Sequence, residues 1–552
     1  MTASRIPLLA GVAAVGLALA FAPSASAEPS PVDVQLLGLN DFHGHLESTT
    51  PGTISETPTS PRVPAGGAEY LATHVRNLEK TNPNTMVVSA GDLIGGSPLL
   101  SALFHDEPTV EAMNKIGLDL NAVGNHEFDE GGTELLRMQN GGCHPTDGCL
   151  DGDGFGGAKF GFLSANVVDK ETRKPLFQPY AVKKFDGVKV GFIGMTLEGT
   201  PEIVSPGGIA NLDFLDEADT ANKYAAELRR KHGVRAIVVM LHEGGVQTDD
   251  GGINACNGIS GPITDIVGRT SKAVDLFVTG HTHQAYNCKI DGRTVTSAKS
   301  FGRLVTDIDM KLDRRTKDVS SITVNNKIVT QDVGKASDMT DLITRYDKIA
   351  APLRDRVVGS TSAAIDREPT PAGESALGDV IADAQLEATK EADTGSAVAA
   401  FMNPGGIRAD MDAGEVTYGE IFTVQPFGNS LVTMTVTGAQ IDTMLEQQWC
   451  EQSSPKILQV SEGVAYTWDN SAPACERVDP ASITINGAAV DPAASYRITV
   501  NSFLADGGDK FTVLKEGTDR LGGEVDLDAF EAYFTAHSPV APGPKDRISR
   551  LN

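Results

Sequence analysis

The stretch Val34-Gln35-Leu36-Leu37-Gly38-Leu39-Asn40-Asp41-Phe42-His43 states a theme that the first half of the chain repeats. A short apolar run breaks off into a cluster of Gly, Asp, Asn or His. The theme returns as Met86-Val87-Val88-Ser89-Ala90 before Gly91-Asp92, and as Leu120-Asn121-Ala122-Val123 before Gly124-Asn125-His126. It returns again as Ala236-Ile237-Val238-Val239-Met240-Leu241 before His242, and as Leu276-Phe277-Val278-Thr279 before Gly280-His281. Apolar runs of this length beside glycine predict buried strands. Helical patterns over Ala68 to Lys80 and Ala218 to His232 lie between them. The class is therefore α/β, in which ligands gather at the carboxyl ends of the strands.

The pattern runs from about Val32 to Val333, and a chain of 552 residues is more than one core usually serves. Met339 to Leu353 has apolar residues at helical spacing and predicts a connecting helix. A second domain begins near Val358, with a helix over Ala376 to Lys390 and a strand over Leu431 to Val436. Three polar loops interrupt the first half: Ser48 to Pro64, Gly141 to Gly157 and Asp249 to Gly261. Within the second, Asp151-Gly152-Asp153-Gly154 lacks the twelve-residue ligand pattern of a calcium loop and is expected to be plain surface.

At the N-terminus, Arg5, the apolar run Pro7 to Ala20 and the small-residue site Ala25-Ser26-Ala27 predict a cleaved signal peptide, residues 1–27. A secreted protein, extracellular or periplasmic, without a membrane anchor is expected. Six cysteines suit that oxidising compartment. They allow about 15 connectivities, and short loops favour Cys143 with Cys149, Cys256 with Cys288, and Cys450 with Cys475. The net charge of −27 repels nucleic-acid backbones, so a small anion in a cation-lined cleft is a better substrate than a polymer. Oligomeric state is not legible.

Five strand ends carry candidate metal ligands: Asp41 and His43, Asp92, Asn125, His242, then His281 and His283. A mixed carboxylate, amide and imidazole set suits two divalent ions such as Zn²⁺ or Mn²⁺. A lone histidine after a strand is ordinary; five strand ends with compatible ligands are not. A pair of ions needs a bridging group, and Asp92 is the natural one. His126, beside the ligands, suits protonation of a leaving oxygen, and Asp129 three residues on suits orienting it. His45 and Glu243 adjoin ligand positions without an assigned role.

Asn40-Asp41-Phe42-His43-Gly44-His45, Gly91-Asp92, Gly124-Asn125-His126-Glu127 and Gly280-His281-Thr282-His283 resemble the signature of calcineurin-like metallophosphoesterases. With the second domain, the chain resembles the UDP-sugar hydrolase and 5′-nucleotidase family. The resemblance implies a four-layer α/β/β/α metallophosphatase domain (28–336), a linker helix (337–357) and an α+β substrate domain (358–552). It assigns Asp41, His43, Asp92 and His283 to one metal, Asp92, Asn125, His242 and His281 to the other, and His126 with Asp129 to catalysis. Asn403-Pro404-Gly405-Gly406-Ile407-Arg408 resembles the family's phosphate loop, with Pro404 in place of its usual glycine. Arg367 matches another substrate-binding arginine of the family; a second one shortly after it is missing, with Thr370, Pro371 and Glu374 there instead. Phe427 and Phe503 match the aromatic pair that sandwiches the base, and Asp509 a nucleoside contact. The implied activity is phosphate release from nucleoside 5′-monophosphates, and from nucleotide di- or triphosphates or UDP-sugars. The alternatives are a 2′,3′-cyclic-nucleotide phosphodiesterase with 3′-nucleotidase activity, or a non-catalytic surface binding protein on the same fold.

Overall fold

The computed structural model describes residues 30–49, 52–204, 206–248 and 251–552, together with Met1, Thr2 and Ser4. The expected leader, Arg5 to Ala27, lies outside the described residues. Among the described residues no helix is long and apolar enough to cross a membrane.

Each apolar run quoted above is a strand, and alternation along it serves two cores. In Val32–Leu39, the side chains of Val34 and Leu36 face one cluster and those of Leu37 and Leu39 face another. That division is the period-two geometry of a strand buried on both faces. Val32–Leu39, Thr85–Ser89, Leu118–Ala122 and Gly161–Leu163 run parallel, and two antiparallel strands, Leu304–Leu312 and Val319–Ile328, extend the sheet to six. A second six-stranded sheet contains Val188–Thr196, Ala236–His242, Leu276–Thr279 and Arg293–Ala298 in parallel.

The two sheets pack face to face: Val34, Leu36, Val88 and Leu120 meet Val190, Phe192, Val238 and Met240. Helices Ala68–Glu79, Glu107–Ile116 and Ser337–Arg354 cover the outer face of the first sheet. Glu217–Glu227 and Pro262–Arg269 cover that of the second. The architecture is four-layered, α/β/β/α. All five ligand-bearing strand ends open at one edge of this sandwich.

The C-terminal half has its own sheet, in the order Gln459–Val460, Ala399–Met402, Ser495–Asn501, Ser430–Thr437 and Thr518–Val525. Helices Ala376–Thr389 and Asp526–His537 pack together through Ile381, Phe530 and Phe534. The connecting helix, Ser337–Arg354, buries Met339, Leu342 and Tyr346 against the first half, so it docks on that half and is not a bare tether. All three local cysteine pairs are disulfides. The Asp151–Asp153 turn is pinned to this helix: Tyr346 donates to Asp151 and Arg345 pairs with Asp153.

Candidate metal and phosphate site

The strand ends bring six side chains to one point. Asp41, His43 and His283 form one cluster and Asp92, His242 and His281 another. Asp92 joins them: its Oδ2 lies 3.6 Å from His43 Nε2 and 2.9 Å from His242 Nε2. Its other oxygen accepts the backbone N–H of His126 at 3.0 Å. One carboxylate oxygen is thus left facing both clusters. Asn125, the seventh expected ligand, sits beside the second cluster, its Oδ1 3.0 Å from His281 Nδ1.

Backbone conformation aims these groups. Asp41, His43, Asp92, His281 and His283 all have φ between 47° and 70°. Non-glycine residues seldom adopt this left-handed region, and each costs on the order of 1–3 kcal/mol unless its surroundings enforce it. The surroundings do so with hydrogen bonds. His281 N–H donates to the Asp41 carboxylate, and Asp41 N–H and His43 N–H donate to the carbonyls of Gly91 and Asp92. Glycine is required where strand ends meet. A Cβ on Gly124 would stand 2.2 Å from Asp92 Oδ1.

The donor chemistry fits two divalent cations. His43 Nδ1 and His242 Nδ1 donate to the carbonyls of Gly95 and Ala90, both at 2.7 Å. Each bond fixes the tautomer and turns an unprotonated Nε2 inward, as histidine ligands require. The inward nitrogens then face one another and Asp92: His43 Nε2 is 3.2 Å from His283 Nε2, and the buried His242 Nε2 is 2.9 Å from Asp92 Oδ2. In the protein alone, burial opposes a proton on His242, but the Asp92 carboxylate overcomes it and pushes the imidazole up to about 10. A buried site that holds a proton this firmly favours positive charge where a cation would sit.

Glu127 is the organiser that sequence inspection missed. Its Oε2 accepts from the N–H of Asp92 at 2.9 Å and of Gly124 at 2.7 Å. Its Oε1 accepts from Leu93 N–H at 3.0 Å and Asn121 Nδ2 at 3.1 Å. One buried carboxylate therefore shapes both ligand loops. The only signal in the sequence is an acidic residue directly after Asn125-His126.

His126 Nδ1 is 2.9 Å from Asp129 Oδ2. Burial opposes its protonation, but Asp129 and Asp92 outweigh that and raise its basicity above the ordinary range. Its ring stacks on Phe427 of the C-terminal half, centroids 5.8 Å apart. His126, Asp129, Asn403, Gly406, Arg408, Phe427, Phe503 and Asp509 line one chamber of about 420 Å³. Asn403 Nδ2 donates to Asp509 at 3.1 Å, so these two expected substrate contacts also hold each other. Arg367 does not join them. It lies with Arg408 in a separate, larger cavity, and donates to the Ile407 carbonyl at 3.0 Å. Glu374, where an arginine was expected, is buried and accepts the N–H groups of Arg547 and Ile548, a structural task.

Comparison with known proteins agrees with this geometry. The calcineurin-like phosphoesterase family matches residues 34–285, and the 5′-nucleotidase C-terminal domain matches 357–516. The cell wall protein Lmo0130 of Listeria monocytogenes is 33% identical over 96% of this chain and 70% of its own length. The chain belongs to the 5′-nucleotidase family of calcineurin-like phosphoesterases. Membership of this family supports a phosphoesterase activity. The endonuclease YhcR of Bacillus subtilis is 32% identical over 94% of this chain, which spans only 41% of that longer relative. The crystal structure of a 5′-nucleotidase precursor from Thermus thermophilus superposes with a TM-score of 0.75 at 29% identity, covering 94% of this chain and 99% of that one.

Proposed function

We propose that the chain is a secreted, dimetal 5′-nucleotidase that releases phosphate from nucleoside 5′-monophosphates, with nucleotide di- and triphosphates or UDP-sugars as further substrates. One observation carries the reading: a chamber of nucleoside size joins two aromatic rings, Phe427 and Phe503, to Arg408 and the His126–Asp129 pair. Stacking on a base is worth about 1–3 kcal/mol and tolerates any base. Asp41, His43, Asp92 and His283 would hold one cation, and Asp92, Asn125, His242 and His281 the other. When bound, the two ions supply charge neutralisation for the phosphate and acidify an attacking water.

The chain's own residues do the rest. Arg408 grips the non-bridging phosphate oxygens with its forked guanidinium. Phe427 and Phe503 fix the nucleoside, and with it the direction of the leaving 5′-oxygen. His126, kept protonated by Asp129, gives that oxygen its proton. We further propose the division 28–336, 337–357 and 358–552, and removal of residues 1–27 on export. A non-catalytic binding protein would need neither the converging imidazoles nor the His126–Asp129 pair. A polymer substrate is disfavoured by the charge of −27.

The test is product formation, followed by chromatography together with phosphate release, when the metal-reconstituted chain is given AMP, ADP, UDP-glucose, 2′,3′-cyclic AMP and single-stranded DNA. AMP should be the best substrate. Faster turnover of the cyclic nucleotide would favour the phosphodiesterase alternative, and no turnover of any would leave the binding-protein one.

A further inference from the structure

The aromatic chamber is the smaller of two cavities at the centre. The other, of about 980 Å³, starts at His45 and His283, whereas the aromatic one starts at Asn125, His126 and His281; Arg408 lines both. On the proposed reading, a nucleoside monophosphate would fill the aromatic chamber and reach the ligand clusters without entering the larger cavity.

Its lining is cationic in an acidic protein. Among the described residues, Arg62, Lys299, Arg303, Arg367 and Arg408 face it, against Asp410 as the one carboxylate, and Asp410 sits beside Arg367 at 3.9 Å. Among the described residues Arg62 and Arg303 form no ion pair. Arg62 donates to Thr53 Oγ1 and the Thr53 carbonyl, both at 2.8 Å. Arg303 donates to the carbonyl and hydroxyl of Ser300, at 3.1 and 2.7 Å. A guanidinium has five N–H donors, so each keeps some unspent. Burial and then the like charge of Arg62 push Arg303 down to about 10. Arg303 is partly buried, a cation in that position without a counter-charge carries a cost, and a chain of net charge −27 has carboxylates to spare. The stem of this cation is held in place: its guanidinium lies 5.1 Å from the Phe301 ring, which packs on His45 at 3.9 Å and His283 at 5.4 Å. The cation therefore stands next to the metal clusters.

We propose that this cavity is a subsite for the distal phosphate of a nucleotide phosphodiester, with Arg62 and Arg303 as its specificity determinants. The proposal rests on the nucleotidase reading and extends it to substrates with a second phosphorylated group beyond the scissile phosphate. In a dinucleotide carrying a 5′-phosphate, pApA, the second adenosine enters the aromatic chamber and the first, with its 5′-phosphate, enters the cationic cavity. Water adds to phosphorus, the bond from phosphorus to the 5′-oxygen breaks, and His126 protonates that oxygen. The products are adenosine and adenosine 3′,5′-bisphosphate.

The experiment compares AMP, ApA and pApA with the full-length, metal-reconstituted chain and its Arg62→Gln, Arg303→Gln and double variants. ApA and pApA share the phosphodiester bond, and its cleavage is read from the adenosine 3′-phosphate formed from ApA and the adenosine 3′,5′-bisphosphate formed from pApA, counted apart from the ApA that loss of the 5′-phosphate of pApA would give. The wild type should favour pApA over ApA by about tenfold or more in kcat/KM, the scale of one charge-assisted contact. That ratio should fall towards one in the double variant while AMP turnover stays within about twofold. If Arg303→Gln does not fold, the exposed Arg62→Gln alone should lower the ratio. Equal rates for ApA and pApA, a ratio that survives the substitutions, or AMP turnover without cleavage of either dinucleotide would overturn the proposal. Failure on AMP as well would instead overturn the nucleotidase reading. Calorimetric binding of pApA against ApA then still decides whether the subsite exists.

Discussion

Glu127→Gln removes one charge and no atoms, and it should nonetheless dismantle the centre. Each oxygen of Glu127 receives two N–H groups, from Asp92 and Gly124 on one side and from Leu93 and Asn121 on the other. Glutamine keeps one oxygen and replaces the other with an NH₂, so either orientation points a donor at two donors. Two bonds to a charged acceptor are lost, at about 1.5–3 kcal/mol each. The sum, about 3–6 kcal/mol, is a large share of the roughly 5–15 kcal/mol that holds a domain together. The strained turn at Asp92, with φ of 51°, is what those bonds enforce, so relaxation there should carry the bridging oxygen away from His43 and His242. Denaturant unfolding should show a loss of this size, and equilibrium dialysis should show metal affinity reduced about 10–100-fold. A Glu127→Gln protein with wild-type stability and metal affinity would refute the argument that this carboxylate shapes the site.

Asp92→Asn should abolish activity and leave one ion or none by elemental analysis; two firmly held ions would exclude a bridging role. His126→Ala should keep both ions and lower kcat by about 10²–10⁴-fold, the span of a lost acid; loss of metal would make His126 a ligand instead. The hydrogen bond to Glu130, aided by Asp147, raises His105 to about 9. Because the folded state binds this proton more tightly, the stabilisation is complete below about pH 6.5 and disappears as pH rises through 9. The difference in unfolding midpoint between wild type and His105→Gln should shrink over that window, and a constant difference would contradict it. Glu202 and Lys510 pair across the two halves at 3.2 Å. Replaced by cysteines and joined by a bismaleimide, they should hold the halves together and cut steady-state turnover by about tenfold or more, since product release requires parting; undiminished turnover would rule out the motion.

The strands and the ligand set were legible because both are local. An apolar run that stops at Gly-Asp or Gly-Asn-His carries its fold and its chemistry in adjacent residues. Val34 to Asp41 and Leu276 to His281 needed no distant partner to be understood. The cysteine pairs were legible for a similar reason, being close in the chain. What escaped notice depends on partners far apart. Glu127 gains its meaning from the N–H groups of Asp92 and Leu93, over 30 residues away, and Glu374 from a strand at the end of the chain. Arg62 and Arg303 sit in segments without periodicity or motif, one in a Thr-, Ser- and Pro-rich loop. Only the fold brings them to one cavity.

The division of labour between strain and pairing predicts that this site should tolerate few substitutions near its ligands. Five ligand residues take a backbone shape that each would abandon if left alone, at about 1–3 kcal/mol apiece. Hydrogen bonds among the strand ends hold them there: His281 N–H to Asp41 and His43 N–H to the Asp92 carbonyl run between ligand residues, and His126 N–H to the Asp92 carboxylate ties the catalytic loop to them. A change at one ligand loop therefore releases strain in the next. Single substitutions at Asp41, Asp92 or Gly124 should behave as removals of the whole cluster, whereas changes on the C-terminal grips, such as Phe427 or Phe503, should alter substrate binding and leave both metals in place.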